Sequence, residues 1–183
     1  ADERLVTVQV FTEKGYENYL VDRRTKERRF LGRSQMVQFA DALAATEPMT
    51  LTARDGLRLH GYLTRPRDYP APGPLVLLVH GGHWARDYWG YSSLVQFLAN
   101  RGYAVLQVNY RGSTGYGRAF RELAVGEYAG KMHDDLIDAV RWAVSTGVAD
   151  PARVAIYGGS YGGYASLVGM AFTPQEFACG VAI

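Results

Sequence analysis

The chain has 183 residues, 48% of them hydrophobic, enough for one ordinary domain with a real core or for one domain plus part of another. Its formal net charge of +2 is too near zero to point to nucleic acid or an acidic substrate, and no run of about 18 apolar residues offers a membrane span. The single cysteine, Cys179, excludes an internal disulfide, leaves the redox compartment open and, in the apolar stretch 177–183, reads as a buried, unactivated thiol.

The first part of the chain reads as strands and turns. Leu5 to Phe11 is rich in β-branched residues, Lys14-Gly15 supplies a turn, and Tyr19–Asp22 and Arg28–Leu31 flank a charged tip. The basic run from Arg23 to Arg29 is broken by Thr25 and Glu27, which suits a solvated hairpin end better than a binding patch. Residues 1–33 are thus a β segment too short to bury a core alone, and must pack on something else. Residues 34–48 form a connector, in which Ser34 is placed to cap a short helix and Pro48 to stop it.

From Met49 the pattern changes. Residues 49–54, Asp55-Gly56 and 57–64 read as strand, turn and strand, followed by a Pro/Gly-rich loop over 66–74. Leu75–Val79, Tyr103–Val108 and Val154–Tyr157 are short apolar runs, as strands buried on both faces require. Between and after them, 92–100, 134–144 and 164–172 carry helical spacing, with Gly102 stopping the first and Asp134 and Asp135 opening the second. Alternation of this kind predicts an α/β domain over 49–183 with a mostly parallel sheet. No charged segment followed by an apolar run opens the chain, so no signal peptide is visible and a cytoplasmic protein is expected.

The strongest chemical signal is Gly158-Gly159-Ser160-Tyr161-Gly162. A bare Gly-x-Ser-x-Gly occurs by chance, but here it follows a buried strand and precedes an apolar helix, the context of a nucleophile elbow. Side chains at Gly158 and Gly162 would clash in so tight a turn. Ser160 would then stand clear of the sheet at a helix N-terminus, with the Tyr161 N–H aimed at a developing oxyanion. A glycine-rich turn with an incidental serine is the plain alternative. The second segment is His80-Gly81-Gly82-His83-Trp84, directly after a strand. Glycines there allow close approach to a carbonyl, Gly82 is the first choice as the second oxyanion donor, and His80 is expected to orient the turn. The spacing of His80 and His83 matches no metal site and no carboxylate or thiol cluster supports one, so no metal or other cofactor is expected. Asn109 to Gly117 is glycine-rich but lacks phosphate-loop spacing, and reads as a loop at the rim of the site.

A serine hydroxyl needs a base and the base an orienting carboxylate, in the chain order Ser, Asp or Glu, His. After Ser160 the chain offers Glu176 as its one acid and no histidine; His60, His80, His83 and His133 all precede it. The apolar run ending at Ile183 reads as the start of a further buried strand. Both observations lead us to expect a truncated polypeptide that labels weakly with serine-directed reagents.

At these residues the chain resembles the prolyl oligopeptidase family of serine peptidases (peptidase S9), closest to its acylaminoacyl-peptidase branch. The matching stretches are His80-Gly81-Gly82 with Ala85-Arg86-Asp87 and Trp89-Gly90, Asn109 to Gly117, and Asp150 to Val154 running into Gly159 to Tyr164. They occur in order over roughly Met49 to Ile183. The resemblance implies an α/β-hydrolase fold, Ser160 as nucleophile, and the N–H groups of Tyr161 and a glycine of the 80–82 turn as oxyanion donors. It also implies a β-propeller before the hydrolase domain, of which 1–33 would be the last strands. The family's aspartate and histidine fall beyond Ile183 and match no residue here, and the branch often has proline in place of His83. The implied activity is hydrolysis of short peptides, of acylaminoacyl or dipeptidyl type, with no nucleic-acid or membrane partner. Self-association, or association with the rest of the protein, is compatible with it. A carboxylesterase of the same fold and a non-catalytic fragment are the competing readings.

Overall fold

The computed structural model describes residues 3–82 and 84–183. The described chain forms two sheets. β1 (Leu5–Thr12), β2 (Gly15–Asp22) and β3 (Arg28–Arg33) make an antiparallel meander. The charged tip between β2 and β3 is organised by Asp22, which accepts the N–H groups of Arg24 and Thr25 at 2.8 and 3.1 Å and pairs with Arg4 at 2.6 Å. Arg4 holds the Asp22 carboxyl down at about 2. Val8, Val10, Phe11, Phe30 and Leu31 remain exposed, so this sheet encloses little apolar volume of its own.

Ser34 caps as expected, accepting the Met36 N–H at 3.2 Å, and the segment it opens is a 3-10 helix over Gln35–Ala42. Pro48 does not stop it. The helix ends six residues earlier, and Pro48 lies inside β4 (Thr46–Thr52). β4 is an edge strand, where a missing N–H does least harm.

The second sheet runs β4-β5-β7-β6-β8-β9, with β5 (Arg58–Thr64), β6 (Gly73–Val79), β7 (Ala104–Asn109), β8 (Ala149–Gly158) and β9 (Cys179–Ala182). β4 and β5 are antiparallel and β6 to β9 parallel, so the expected mixed but mostly parallel sheet is present. Every residue of β7 is buried, and Leu75, Leu77, Leu106, Val108 and Ile156 form the centre of the core. Around the sheet lie α1 (Ser93–Asn100), α2 (Arg118–Glu122), α3 (Lys131–Ser145) and α4 (Tyr161–Phe172). No described helix is long and apolar enough to cross a membrane.

Two local expectations are corrected. α3 begins at Lys131, not Asp134, because the Glu127 carboxylate accepts the Lys131 N–H at 3.1 Å and starts the helix a turn early. His133 is therefore inside the helix rather than before it, and Asp135 is turned into the core. Cys179, read as buried, is exposed, because β9 is the edge of the sheet and is open along its length.

Candidate active site

β8 delivers Ser160 to the head of α4. Ser160 is the helix N-cap and stands exposed at φ 55°, ψ −120°, a left-handed backbone that a non-glycine residue adopts only when its surroundings force it. The forcing contacts are visible. A Cβ at Gly158 would strike the backbone of Gly162, and one at Gly162 would strike the carbonyl oxygen of Val79 at the end of β6. Both glycines are thus required for strand and helix to meet at this angle.

The 80–82 turn leaves the end of β6 beside the elbow. A Cβ on Gly81 would lie 3.1 Å from the Gly159 carbonyl oxygen and 3.4 Å from the Ser160 Cβ. Gly82, with φ 63°, uses the left-handed region in which glycine is unstrained. Gly81 and Tyr161 therefore flank the serine, one on the turn after β6 and the other at the first position of α4, where helical N–H groups point out of the helix. The turn is braced from β7's far end. Tyr110 stacks on His80 at 4.3 Å and donates its hydroxyl to the His80 carbonyl at 3.0 Å, and Ser113 Oγ lies 3.0 Å from His80 Nε2. Burial lowers the His80 pKa below its ordinary value, so the ring is neutral at pH 7.

The 110–113 loop is itself fixed by charge. The Arg111 guanidinium binds Asp135 through two nitrogens at 2.9 and 2.7 Å and Asp55 at 2.9 Å, and the Arg111 backbone N–H reaches Asp135 at 2.8 Å. Arg111 and Asp135 are 3% and 0% exposed at the side chain, so this is a buried, fully bonded pair rather than a surface one. A second brace follows the turn. Asp87 donates its N–H to Asn109 Oδ1 at 2.7 Å, accepts from Asn109 Nδ2 at 3.2 Å on its carbonyl, and accepts from Gln107 Nε2 at 2.8 Å on its carboxylate. Burial pushes the Asp87 carboxyl up to about 6. Nothing in the spacing of the sequence marks Tyr110, Arg111, Ser113 or Asp135 as partners of the turn, since each contact joins segments distant in the chain. Beside the site lies an apolar recess of about 340 Å³ lined by Trp84, Ala124, Val125, Gly126 and Tyr128. Tyr128 packs on Tyr161, with ring centroids 5.2 Å apart.

Of the other described histidines, two are engaged away from the serine. His60 stacks on Tyr116 at 5.2 Å. His133 binds Thr173 Oγ1 at 2.9 Å, just past the far end of α4, and a helix of 12 residues spans about 18 Å. Glu176, the acid that follows Ser160 in the sequence, pairs with Arg141 beyond that same end. His83 lies outside the described residues. The site therefore offers an exposed hydroxyl on a strained turn and two candidate N–H donors.

Residues 89–183 match the model of the Prolyl oligopeptidase family. Dipeptidyl aminopeptidase BIII of Pseudoxanthomonas mexicana is 60% identical over 144 residues, which cover 74% of this chain and 21% of that protein. Acylamino-acid-releasing enzyme of Arabidopsis thaliana is 35% identical over 111 residues, covering 60% of this chain and 14% of that protein. The crystal structure of puromycin hydrolase superposes with a TM-score of 0.89 at 29% identity, covering all of this chain and 29% of that one. The chain thus spans about a fifth or less of the length of these curated relatives. The described sheet and helices form part of the α/β-hydrolase fold.

Proposed function

The chain belongs to the prolyl oligopeptidase family, and from that premise we propose that it carries the nucleophile and oxyanion-binding half of a serine peptidase acting on short peptides. The observation that carries this reading is Ser160 itself, exposed at φ 55° on a turn only glycines can close, with Gly81 against its Cβ. In this reading Ser160 Oγ attacks the scissile carbonyl carbon and gives its proton to a base. The oxyanion is held by the N–H groups of Gly82 and Tyr161, the C–N bond breaks as the amine takes the proton, and water then releases the acyl group from Ser160. His80 is engaged with Ser113 and the Gly81 carbonyl, His60 with Tyr116 and His133 with Thr173, so the base is assigned outside the described residues.

The named relatives frame the substrate as a short peptide cut near its N-terminus, of dipeptidyl or acylaminoacyl type. The apolar recess of Trp84, Val125 and Tyr128 suits an uncharged side chain of that peptide. Residues 1–33 are read as the end of a preceding propeller domain, 34–48 as a connector and 49–183 as the hydrolase domain. A cytoplasmic location and self-association belong to the same proposal. The test is labelling by a fluorophosphonate, with peptide and ester substrates assayed in parallel on the protein at its natural full length. Labelling and peptide hydrolysis that both vanish in Ser160→Ala support the reading. Labelling that survives this substitution, or ester hydrolysis without peptide hydrolysis, overturns it.

A further inference from the structure

We propose that Arg121 is a specificity-determining residue: its guanidinium, held over the Trp84 wall of the apolar recess, receives a carboxylate carried by the substrate residue next to the one whose side chain enters the recess. The proposal rests on the reading of Ser160 as the nucleophile of a short-peptide peptidase and names the substrate class of that site.

The recess is shaped for an apolar side chain. Trp84, Val125 and Tyr128 are large and apolar yet exposed, and they gather around one concavity with the buried Ala124. Exposed apolar side chains grouped in this way mark a surface that a ligand covers. Two features place the recess beside the nucleophile. Tyr128 packs on Tyr161, the residue after Ser160, and Trp84 stands two residues past Gly82.

The indole wall also carries charge. The Arg121 guanidinium carbon lies over the Trp84 ring, 5.5 Å from its centre. Stacking uses the face of a guanidinium and leaves the N–H groups in its plane open to other acceptors. No hydrogen bond or ion pair joins the Arg121 side chain to another described residue. The neighbouring acids are committed. Glu122 pairs with Arg118 at 2.6 Å, and the Glu127 carboxylate accepts the Lys131 N–H at 3.1 Å. At helical spacing from Arg121 stand Gly117, Arg118, Ala124 and Val125, none of them acidic. Arg86, on the segment after Trp84, is engaged differently: it lies between the rings of Tyr88 and Tyr116 and reaches Tyr116 Oη at 3.0 Å. Arg121 therefore brings to the recess a positive charge with its N–H groups open. A carboxylate is the acceptor that fits this planar fork, because both oxygens can be bound at once. Consecutive Cα atoms are about 3.8 Å apart, so a peptide that seats an apolar side chain against Trp84 brings its next residue within reach of the guanidinium. That carboxylate is either the C-terminus of a short peptide or an aspartate or glutamate side chain.

Equilibrium binding to the protein at its natural full length, carrying Ser160→Ala so that peptides stay uncut, tests this without turnover. Three peptides differ only after the apolar residue: one ends in alanine as the free acid, one in alanine amide and one in aspartate amide. The free acid or the aspartate amide is expected to bind about three- to tenfold more tightly than the alanine amide at low ionic strength. This advantage should shrink at 1 M salt, where the screening length is about 3 Å. Arg121→Gln should bring the three dissociation constants within about twofold of one another, and Arg121→Glu should reverse their order. Preference for the free acid assigns the carboxylate to the C-terminus, and preference for the aspartate amide assigns it to a side chain. With Ser160 intact, the same preference should appear in KM rather than in kcat. No preference for either acid, or a preference that Arg121→Gln leaves unchanged, overturns the inference. The salt dependence requires no substitution at Arg121. Absence of peptide hydrolysis counts against the proposed function, and the ratio of acid to amide binding still decides the role of Arg121.

Discussion

At Gly162 a single methyl group decides whether β8 and α4 can join. Its Cβ would run into the Val79 carbonyl oxygen, with the His80 oxygen 3.4 Å away, and both are backbone atoms that cannot rotate aside. Gly162→Ala is expected to destabilise the fold by on the order of 3 kcal/mol, the upper range for overpacking, and to suppress labelling of Ser160. Gly126, at φ 76° with nothing within 4 Å of its Cβ, is the control: alanine there meets only backbone strain of about 1 kcal/mol. Urea unfolding of the two variants compares them, and equal losses would mean that the elbow yields more readily than its contacts imply. His133 gives a second test by pH. Burial holds its folded pKa below the ordinary 6.5, so the unfolded chain takes up the proton first. Its contribution to stability is complete above about 6.5 and is lost as pH falls from there towards the folded value. His60 and His80 shift the same way, also through burial. His133→Gln keeps a donor for Thr173 Oγ1 and does not titrate, so its urea midpoint should fall less between pH 7 and pH 5 than that of the parent. An unchanged slope would remove His133 from the acid response.

Between elements, the site is held by contacts that tie α3 and the 110–117 loop together. Asp135 projects from α3 into the core and binds Arg111 by two side-chain contacts and one backbone contact. Asp134, its neighbour, pairs with Arg54 at the surface, both partners about 40% exposed. Charge and spacing alone make the two aspartates look alike, and both read as residues opening a helix. Adjacent residues of a helix lie about 100° apart, and the packing of α3 on the sheet turns Asp135 inward and leaves Asp134 in water. Asp135→Asn leaves the buried Arg111 with the half-exposed Asp55 as its remaining carboxylate and is expected to cost about 3 kcal/mol, whereas Asp134→Asn should cost less than about 1 kcal/mol. The loss in Asp135→Asn should be accompanied by weaker labelling of Ser160, because Arg111 anchors the loop whose Tyr110 and Ser113 hold His80. Equal midpoints for the two variants in denaturant would show that the buried pair contributes no more than the exposed one.

Across the whole molecule, what the sequence made legible was whatever depends on neighbours along the chain. Apolar runs alternating with helical periods marked the parallel strands, and Gly158 to Gly162 marked the elbow, because strand, turn and helix are consecutive there. What stayed hidden depends on segments meeting at a distance: the edge position that lets Pro48 sit in a strand, the exposure of Cys179 on β9, and Arg111 reaching residues 24 and 56 positions away. The same distinction bears on how stability is distributed. The large sheet is sealed by long-range packing, with β7 wholly buried. The small sheet has exposed apolar residues along β1 and β3, and the β1–β2 turn touches the rest at points such as the Tyr91 N–H to the Thr12 carbonyl at 2.9 Å. Amides with few buried neighbours open locally at lower free energy than those in a sealed core. In hydrogen exchange followed by mass spectrometry, the peptides of β6, β7 and β8 should be the last to exchange, and those of β1 to β3 should exchange at least about tenfold faster, a gap of about 1.4 kcal/mol or more in opening free energy. Protection of β1 to β3 equal to that of β7 would mean instead that both sheets open as one cooperative unit. The contact between Thr12 and Tyr91 would then transmit the core's stability to the small sheet.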